Sequence, residues 1–227
     1  MKGIIFDFNG TLFWDSQLHY DAWEDFSRIL RGTPFSKEEM RDRMFGHTNA
    51  DIIEYAIGKK PTAEMVEKYG KEKESLYRKQ CLLKPEMFKL APGAIELLDY
   101  LKENNVPMTI ATMSEWDNVE FYIKEFHLEK WFELDKIVYS DGTIPGKPAP
   151  DIFLIAAKKI GLAPKDCIVI EDAIAGIESA KSAGIGKIYA IASLEPDSFY
   201  EQMEGIEKII HNFNEFDRNV LKSAIKI

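Results

Sequence analysis

The run Gly3-Ile4-Ile5-Phe6-Asp7-Phe8-Asn9-Gly10-Thr11-Leu12 decides the fold. Its apolar residues are consecutive rather than alternating, which reads as a short strand buried on both faces. The strand ends on Asp7 and Asn9, and Gly10-Thr11 supplies a turn. A carboxylate at the end of a buried strand is costly unless its charge is compensated. Taken alone, Asp7 is open to two readings, a turn cap or the start of a functional site.

Moving outward, the same arrangement recurs. Residues 106–111 form an apolar run followed by Thr112-Met113-Ser114, and residues 167–170 form another followed by Glu171-Asp172. Residues 136–139 and 187–192 are further strand candidates. Helical periodicity fills 94–104, 118–126, 151–160 and 173–183. Strands alternating with helices of this length predict an α/β fold, a parallel sheet covered on both faces. In such sheets ligands collect at the carboxyl ends of the strands, where these polar residues lie.

The stretch from about 17 to 87 is different, with helical spacing and charge throughout. Ser36-Lys37-Glu38-Glu39 has the spacing of a capping box, and Thr62 is placed to cap a second helix running through Tyr77 and Lys79. Gly58-Lys59-Lys60-Pro61 punctuates the segment and Pro92-Gly93 closes it. The expected architecture is a core of residues 1–14 and 90–227 with a helical cap, residues 15–89, inserted after the first strand.

A net charge of −9 argues against a general nucleic-acid or anionic-membrane surface, so any phosphate would need a specific pocket. No apolar run approaches the ~20 residues of a membrane span. Cys81 and Cys167 are far apart and form no CxxC pair, which disfavours a zinc site or a disulfide framework. These features predict a cytoplasmic protein.

Four segments carry chemistry. Asp7 is a potential nucleophile. Lys147 lies in Gly146-Lys147-Pro148-Ala149-Pro150-Asp151, between a glycine and a proline that hold its backbone in a turn. Glu171-Asp172 precedes a helix start, where acidic residues also serve as dipole partners. Thr112-Met113-Ser114 can be a strand-end turn with Ser114 as an N-cap. In combination they offer a carboxylate, a hydroxyl, a lysine and an acidic pair, each at a strand end or in a following loop. Carboxylates with a phosphate oxygen are hard ligands suited to Mg²⁺, and a carboxylate can attack phosphorus to form an aspartyl-phosphate.

These segments resemble the four motifs of the haloacid-dehalogenase-like superfamily. The likeness covers almost the whole chain and is greatest to the beta-phosphoglucomutase and sugar-phosphatase branch. The resemblance implies a Rossmann-like core, a helical cap and Mg²⁺ as cofactor. It implies Asp7 as nucleophile and metal ligand, Thr112 as a phosphate-binding hydroxyl, and Lys147 as charge partner of nucleophile and phosphate. Asp172 would bind the metal with help from Glu171. Ser114 and the Met113 backbone N–H would assist the phosphate. The expected function is a Mg²⁺-dependent phosphatase of small phosphorylated metabolites, sugar phosphates first among them, acting as a monomer or weak dimer.

Asn9 departs from the pattern. The family's phosphatases and mutases carry there an aspartate whose side chain serves as acid and base and whose carbonyl binds the metal. An amide keeps the carbonyl but cannot exchange protons near neutrality. A slow natural phosphatase, a substrate with a good leaving group, and a change made to trap a complex all fit. The alternatives are a catalytically impaired binding protein, a mutase and a haloacid dehalogenase. The mutase is disfavoured because its cap-loop arginine is replaced by Gly46-His47-Thr48-Asn49. In the cap, His19 and His47 are candidate substrate contacts, His19 being equally a hinge residue. The tryptophans, among them Trp116 and Trp131, are expected to pack the core and the domain junction.

Overall fold

The computed structural model describes residues 2–43 and 49–224. The chain divides into two compact units, residues 15–88 and the flanking residues 1–14 with 89–227. His47 lies outside the described residues.

The first strand, β1 (Gly3–Phe6), leads out of the sheet into the helical unit of α1 (Ser16–Arg31), α2 (Lys37–Arg43), α3 (Asn49–Ile57) and α4 (Ala63–Leu83). Trp23, Phe26, Phe35, Met40, Ile52 and Ile53 form its apolar core. Both expected caps are present. Ser36 Oγ accepts from the Glu39 N–H at 3.2 Å while Glu39 Oε2 accepts from the Ser36 N–H at 2.6 Å. Thr62 Oγ1 accepts from the Met65 N–H at 3.2 Å. Each satisfies N–H groups that have no partner inside the helix. Arg31 clamps Glu39 through two N–H groups at 2.7 Å each, tying the end of α1 to α2.

The other unit continues with α5 (Ala94–Glu103), β2 (Met108–Glu115), α6 (Trp116–Phe126), β3 (Val138–Ser140), α7 (Asp151–Lys159), β4 (Cys167–Glu171), α8 (Ile174–Ser182), β5 (Lys187–Ile191), α9 (Asp197–Tyr200) and β6 (Ile206–Ile210). The strands form one sheet in the order β3-β2-β1-β4-β5-β6, every pair parallel. β1 and β4 are buried throughout, as their unbroken apolar runs require. Ile5, Val169 and Ile188 from the sheet pack with Ile152, Phe153 and Ile177 from α7 and α8, each such side chain contributing about 1.5–3 kcal/mol.

Three sequence-based expectations need correction. β2 extends through Glu115, so Thr112-Met113-Ser114 lies on the strand rather than in a turn beyond it. Helix α6 starts at Trp116 with Glu115 as its N-cap, so Ser114 is not the cap. Trp116 packs on Tyr139 with ring centroids 5.1 Å apart but is 44% exposed, whereas Trp131 is buried as expected. β6 was not expected. It is an edge strand whose Glu207 and Lys208 are exposed, and such charges mask a strand while blunting its free edge.

Candidate active site

The strand order places the topological switch at β1, whose neighbours β2 and β4 are reached in opposite directions along the sheet. A crevice at the carboxyl ends of the strands belongs at this point. Asp7 follows β1 directly, and its N–H donates to the Ile170 carbonyl of β4 at 3.0 Å. Glu171 closes β4 and Asp172 follows. Thr112 and Ser114 come from the last residues of β2, and Lys147 from the loop before α7.

At the centre Lys147 Nζ donates to Asp7 Oδ1 and to Glu171 Oε1, 2.6 Å in each case. All three side chains are almost fully buried. The ammonium also sits 5.0 Å from the centroid of the Phe153 ring, which favours a cation over its face. Glu171 Oε2 accepts from the Ala173 N–H at 2.6 Å, so both carboxylate oxygens are engaged. Thr11 Oγ1 donates to Asp172 Oδ1 at 2.9 Å.

Asp7, Glu171 and Asp172 bring ligand oxygens within 4.8 Å of one another. Two buried carboxylates thus hold one ammonium and a third, partly exposed, lies beside them, so negative charge is in excess. Burial pushes the Asp7 carboxyl up to about 7; Lys147 opposes the shift and Glu171 adds to it. Asp172 is raised well above the ordinary carboxylate range by burial, then by Glu171 and Asp7. Burial works against the Lys147 ammonium, but Asp7 and Glu171 together hold it above its usual range. A hard divalent cation fits this oxygen set, because it would supply the missing positive charge.

Two glycines make the geometry possible. Gly10 has φ +80°, and a Cβ there would meet Asp172 Oδ2 at 2.1 Å. At Gly176, in the first turn of α8, a Cβ would lie 1.7 Å from Glu171 Oε1. On the β2 side, neutral groups meet Asn9. Asn9 Oδ1 accepts from Ser114 Oγ at 2.7 Å and from Thr112 Oγ1 at 3.4 Å, and Asn9 Nδ2 donates to Tyr122 Oη at 2.9 Å. The Ser114 N–H donates to Thr112 Oγ1 at 3.1 Å.

Asp7, Asn9, Thr112, Ser114, Lys147, Glu171 and Asp172 are therefore gathered at one end of the sheet, and the Met113 side chain approaches the loop at Gly146. His19 belongs to the helical unit. Its ring stacks on Tyr77 at 3.9 Å, Nε2 lies 3.2 Å from Asp15 Oδ2, and Nδ1 lies 2.9 Å from Nζ of the buried Lys73. Thr11, Tyr122 and Gly176 were not singled out from sequence. Thr11 could have been found from its place in the turn after Asp7. Tyr122 is hidden in the apolar stripe of α6, where it stacks on Phe8 at 4.5 Å.

The sheet is a parallel α/β one with a carboxylate and lysine cluster at its switch point. The chain belongs to the haloacid dehalogenase-like hydrolase family, whose model matches residues 1–184. It is 45% identical to a HAD hydrolase, family IA, variant 3, from Entamoeba histolytica, with 96% of each chain covered and a TM-score of 0.91. It is 31% identical over 191 residues to the beta-phosphoglucomutase of Bacillus subtilis, covering 82% of this chain and 81% of that protein. A phosphorylated carbohydrates phosphatase of Thermotoga maritima is 27% identical over 191 residues, covering 84% of this chain and 85% of its own length. No described helix is long and apolar enough to cross a membrane.

Proposed function

We propose that the chain is a Mg²⁺-dependent phosphatase of small phosphorylated metabolites, slowed by the amide at position 9. The observation that carries this reading is the buried Asp7–Lys147–Glu171 contact, 2.6 Å on both sides, with Asp172 beside it. A structural carboxylate needs one counter-charge, whereas three carboxylates beside one lysine leave an excess of negative charge that a divalent cation would offset.

In this reading an oxygen of Asp7 attacks phosphorus and the bond from phosphorus to the ester oxygen breaks, giving an aspartyl-phosphate. Water then cleaves that intermediate and releases phosphate. Lys147 holds the Asp7 carboxylate in one orientation and offers positive charge to the transferring group. Thr112 and Ser114, with the Met113 N–H, are the phosphate contacts on the β2 side. Asp7, Asp172, Glu171 and the Asn9 carbonyl would hold Mg²⁺. When bound, the ion neutralises charge on the nucleophile and the phosphoryl oxygens. The helical unit would act as a cap that excludes water, with His19 and His47 as candidate substrate contacts. The named activities of the Bacillus and Thermotoga relatives make sugar phosphates the first compounds to try. A monomer or weak dimer in the cytoplasm completes the reading.

The test is phosphate release from a panel of phosphosugars and acetyl phosphate, with Mg²⁺ and with a chelator, for this chain and for Asp7→Asn. Metal-dependent release that Asp7→Asn abolishes is the expected result. Turnover that survives Asp7→Asn overturns the nucleophile assignment, and phosphate release unchanged by the chelator overturns the Mg²⁺ requirement. The hydrogen bonds that occupy both ends of the Asn9 amide favour a second reading, a protein that binds a phosphorylated ligand without turning it over. Ligand affinity with no phosphate release from any compound would establish that instead.

A further inference from the structure

Trp23 and Trp131 are 2% and 8% exposed, as large aromatic side chains of a core should be, whereas Trp116 is 44% exposed. Its place in the fold gives that exposure a meaning. Trp116 follows β2 directly, two residues beyond Ser114, whose hydroxyl donates to Asn9 at 2.7 Å. Two residues of extended chain span at most about 7 Å. The indole is held in place by the half-buried Tyr139 of β3, with ring centroids 5.1 Å apart and planes inclined by 47°. The pairing of β2 with β3 is irregular here. Ala111 pairs with Val138 but Glu115 with Ser140, so four steps along β2 match two along β3. Irregularities of this kind recur beside active sites, where they re-aim a side chain. Beyond Ser140 the chain runs through residues 141–146 to Lys147, whose ammonium holds Asp7. The aromatic pair is thus bracketed by the strand that carries Thr112 and Ser114 and by the segment that carries the lysine.

Resting on the phosphatase reading above, we infer that Trp116, backed by Tyr139, is a stacking platform for the substrate. The phosphomonoesters this site prefers are then those whose alcohol carries a planar aromatic ring, a nucleoside monophosphate being the simplest. With the phosphate at Thr112 and Ser114, the group next to it fills the span toward Trp116, and a ring one sugar unit away reaches the indole. Indole and heteroaromatic ring attract each other in an offset stack beyond the apolar area they bury. Tyr139 already restricts the indole, so little side-chain freedom is lost when a ligand ring settles on it. Glu115 and Asp117, on either side of Trp116 in the chain, are exposed. Their carboxylates can accept from the N–H and amino groups of such a ring, and like charge makes them poor company for a second phosphate.

The experiment measures kcat and KM with Mg²⁺ for uridine and adenosine 5′-monophosphates beside ribose 5-phosphate, which has the same phosphate and sugar without the ring. The expected result is a KM for at least one nucleotide that lies below that of ribose 5-phosphate by roughly 5- to 150-fold. That range is the about 1–3 kcal/mol of a stacked base converted at about 1.4 kcal/mol per tenfold. Trp116→Ala should bring the ratio of the KM values close to one, and Trp116→Phe, which keeps an aromatic face, should restore much of the preference. Equal KM values for all three compounds in the unaltered chain overturn the inference and leave the phosphatase reading standing. So does a Trp116→Ala variant that keeps the full preference, or one that raises every KM by the same factor. If none of these compounds nor acetyl phosphate releases phosphate, or if release survives Asp7→Asn, the phosphatase reading falls and this inference falls with it. The comparison of substrates in the unaltered chain needs no variant, so a poorly folded Trp116→Ala would not spare the idea.

Discussion

Gly176→Ala is the sharpest probe of how the charged cluster is built. The added methyl carbon would lie 1.7 Å from Glu171 Oε1, 2.0 Å from Cδ and 2.6 Å from Oε2. Contacts of that kind are not sustainable, so the Glu171 carboxylate must leave its place. The clash itself is relieved cheaply, since a carboxylate is the end of a flexible side chain. The cost lies in what the carboxylate abandons, the Lys147 ammonium at 2.6 Å and the Ala173 N–H at 2.6 Å. Hydrogen bonds to charged groups contribute about 1.5–3 kcal/mol each, or roughly 3–6 kcal/mol for the two. Alanine returns about 1 kcal/mol through its helix propensity, leaving a net loss of roughly 2–5 kcal/mol. For a chain of this length each kcal/mol shifts the melting temperature by about 2–4 °C, so the midpoint should fall by roughly 4–20 °C. Thermal melts followed by circular dichroism, with and without Mg²⁺, give both readouts. The metal-induced rise in midpoint should shrink in Gly176→Ala because one carboxylate has been displaced. A variant that melts with the unaltered chain and shows the same metal-induced rise would refute this account of the site.

Two other outcomes follow from the helical unit. Gly70 lies inside α4, and among the described residues a methyl group added there would meet Asn49 Nδ2 at 3.8 Å, an ordinary van der Waals contact. Gly70→Ala should therefore stabilise the protein by about 1 kcal/mol in urea unfolding, the opposite sign to Gly176→Ala. Glu39 is held down to about 2 by hydrogen bonds from Arg31, then from the Ser36 N–H and the Tyr55 hydroxyl. Its folded value is below the unfolded one of about 4.3, so its stabilisation is complete above that value and is lost as pH falls toward about 2. Glu39→Gln should cost about 1–2 kcal/mol at pH 7. It should also flatten the dependence of the melting temperature on pH between about 5 and 3, and an unchanged acid limb would contradict the assigned contact.

The parts of the fold that were legible in sequence are those whose pattern is local. β1 and β4 are buried on both faces and so are written as unbroken apolar runs; the Ser36 and Thr62 caps are written in three or four residues each. β6 was not legible because one of its sides has no neighbouring strand, and the charges that suit an edge erase the apolar signal. Within the site, the nucleophile candidate and the acidic pair stood out because each is a charge at the end of an apolar run, and the lysine because a glycine and a proline hold it in a turn. Tyr122 did not, because a tyrosine in an amphipathic stripe reads as core until its hydroxyl is seen to meet Asn9. Gly176 was equally silent. Its meaning is the volume that Glu171 occupies, and that depends on a contact across a strand and the helix after it rather than on any local turn.

Asp7 and Lys147 are separated by 140 positions along the chain, which has a consequence for the protein while it is being made. At a synthesis rate of about 5–20 residues per second, roughly 7–28 s pass between the appearance of the carboxylate and that of its ammonium partner. Glu171 and Asp172 emerge later still. Throughout that interval β1 has neither β4 beside it nor a counter-ion at its end, so the nascent segment has every reason to stay hydrated or in the care of a chaperone. The central strand of the finished sheet is thus the first to leave the ribosome and among the last to be enclosed.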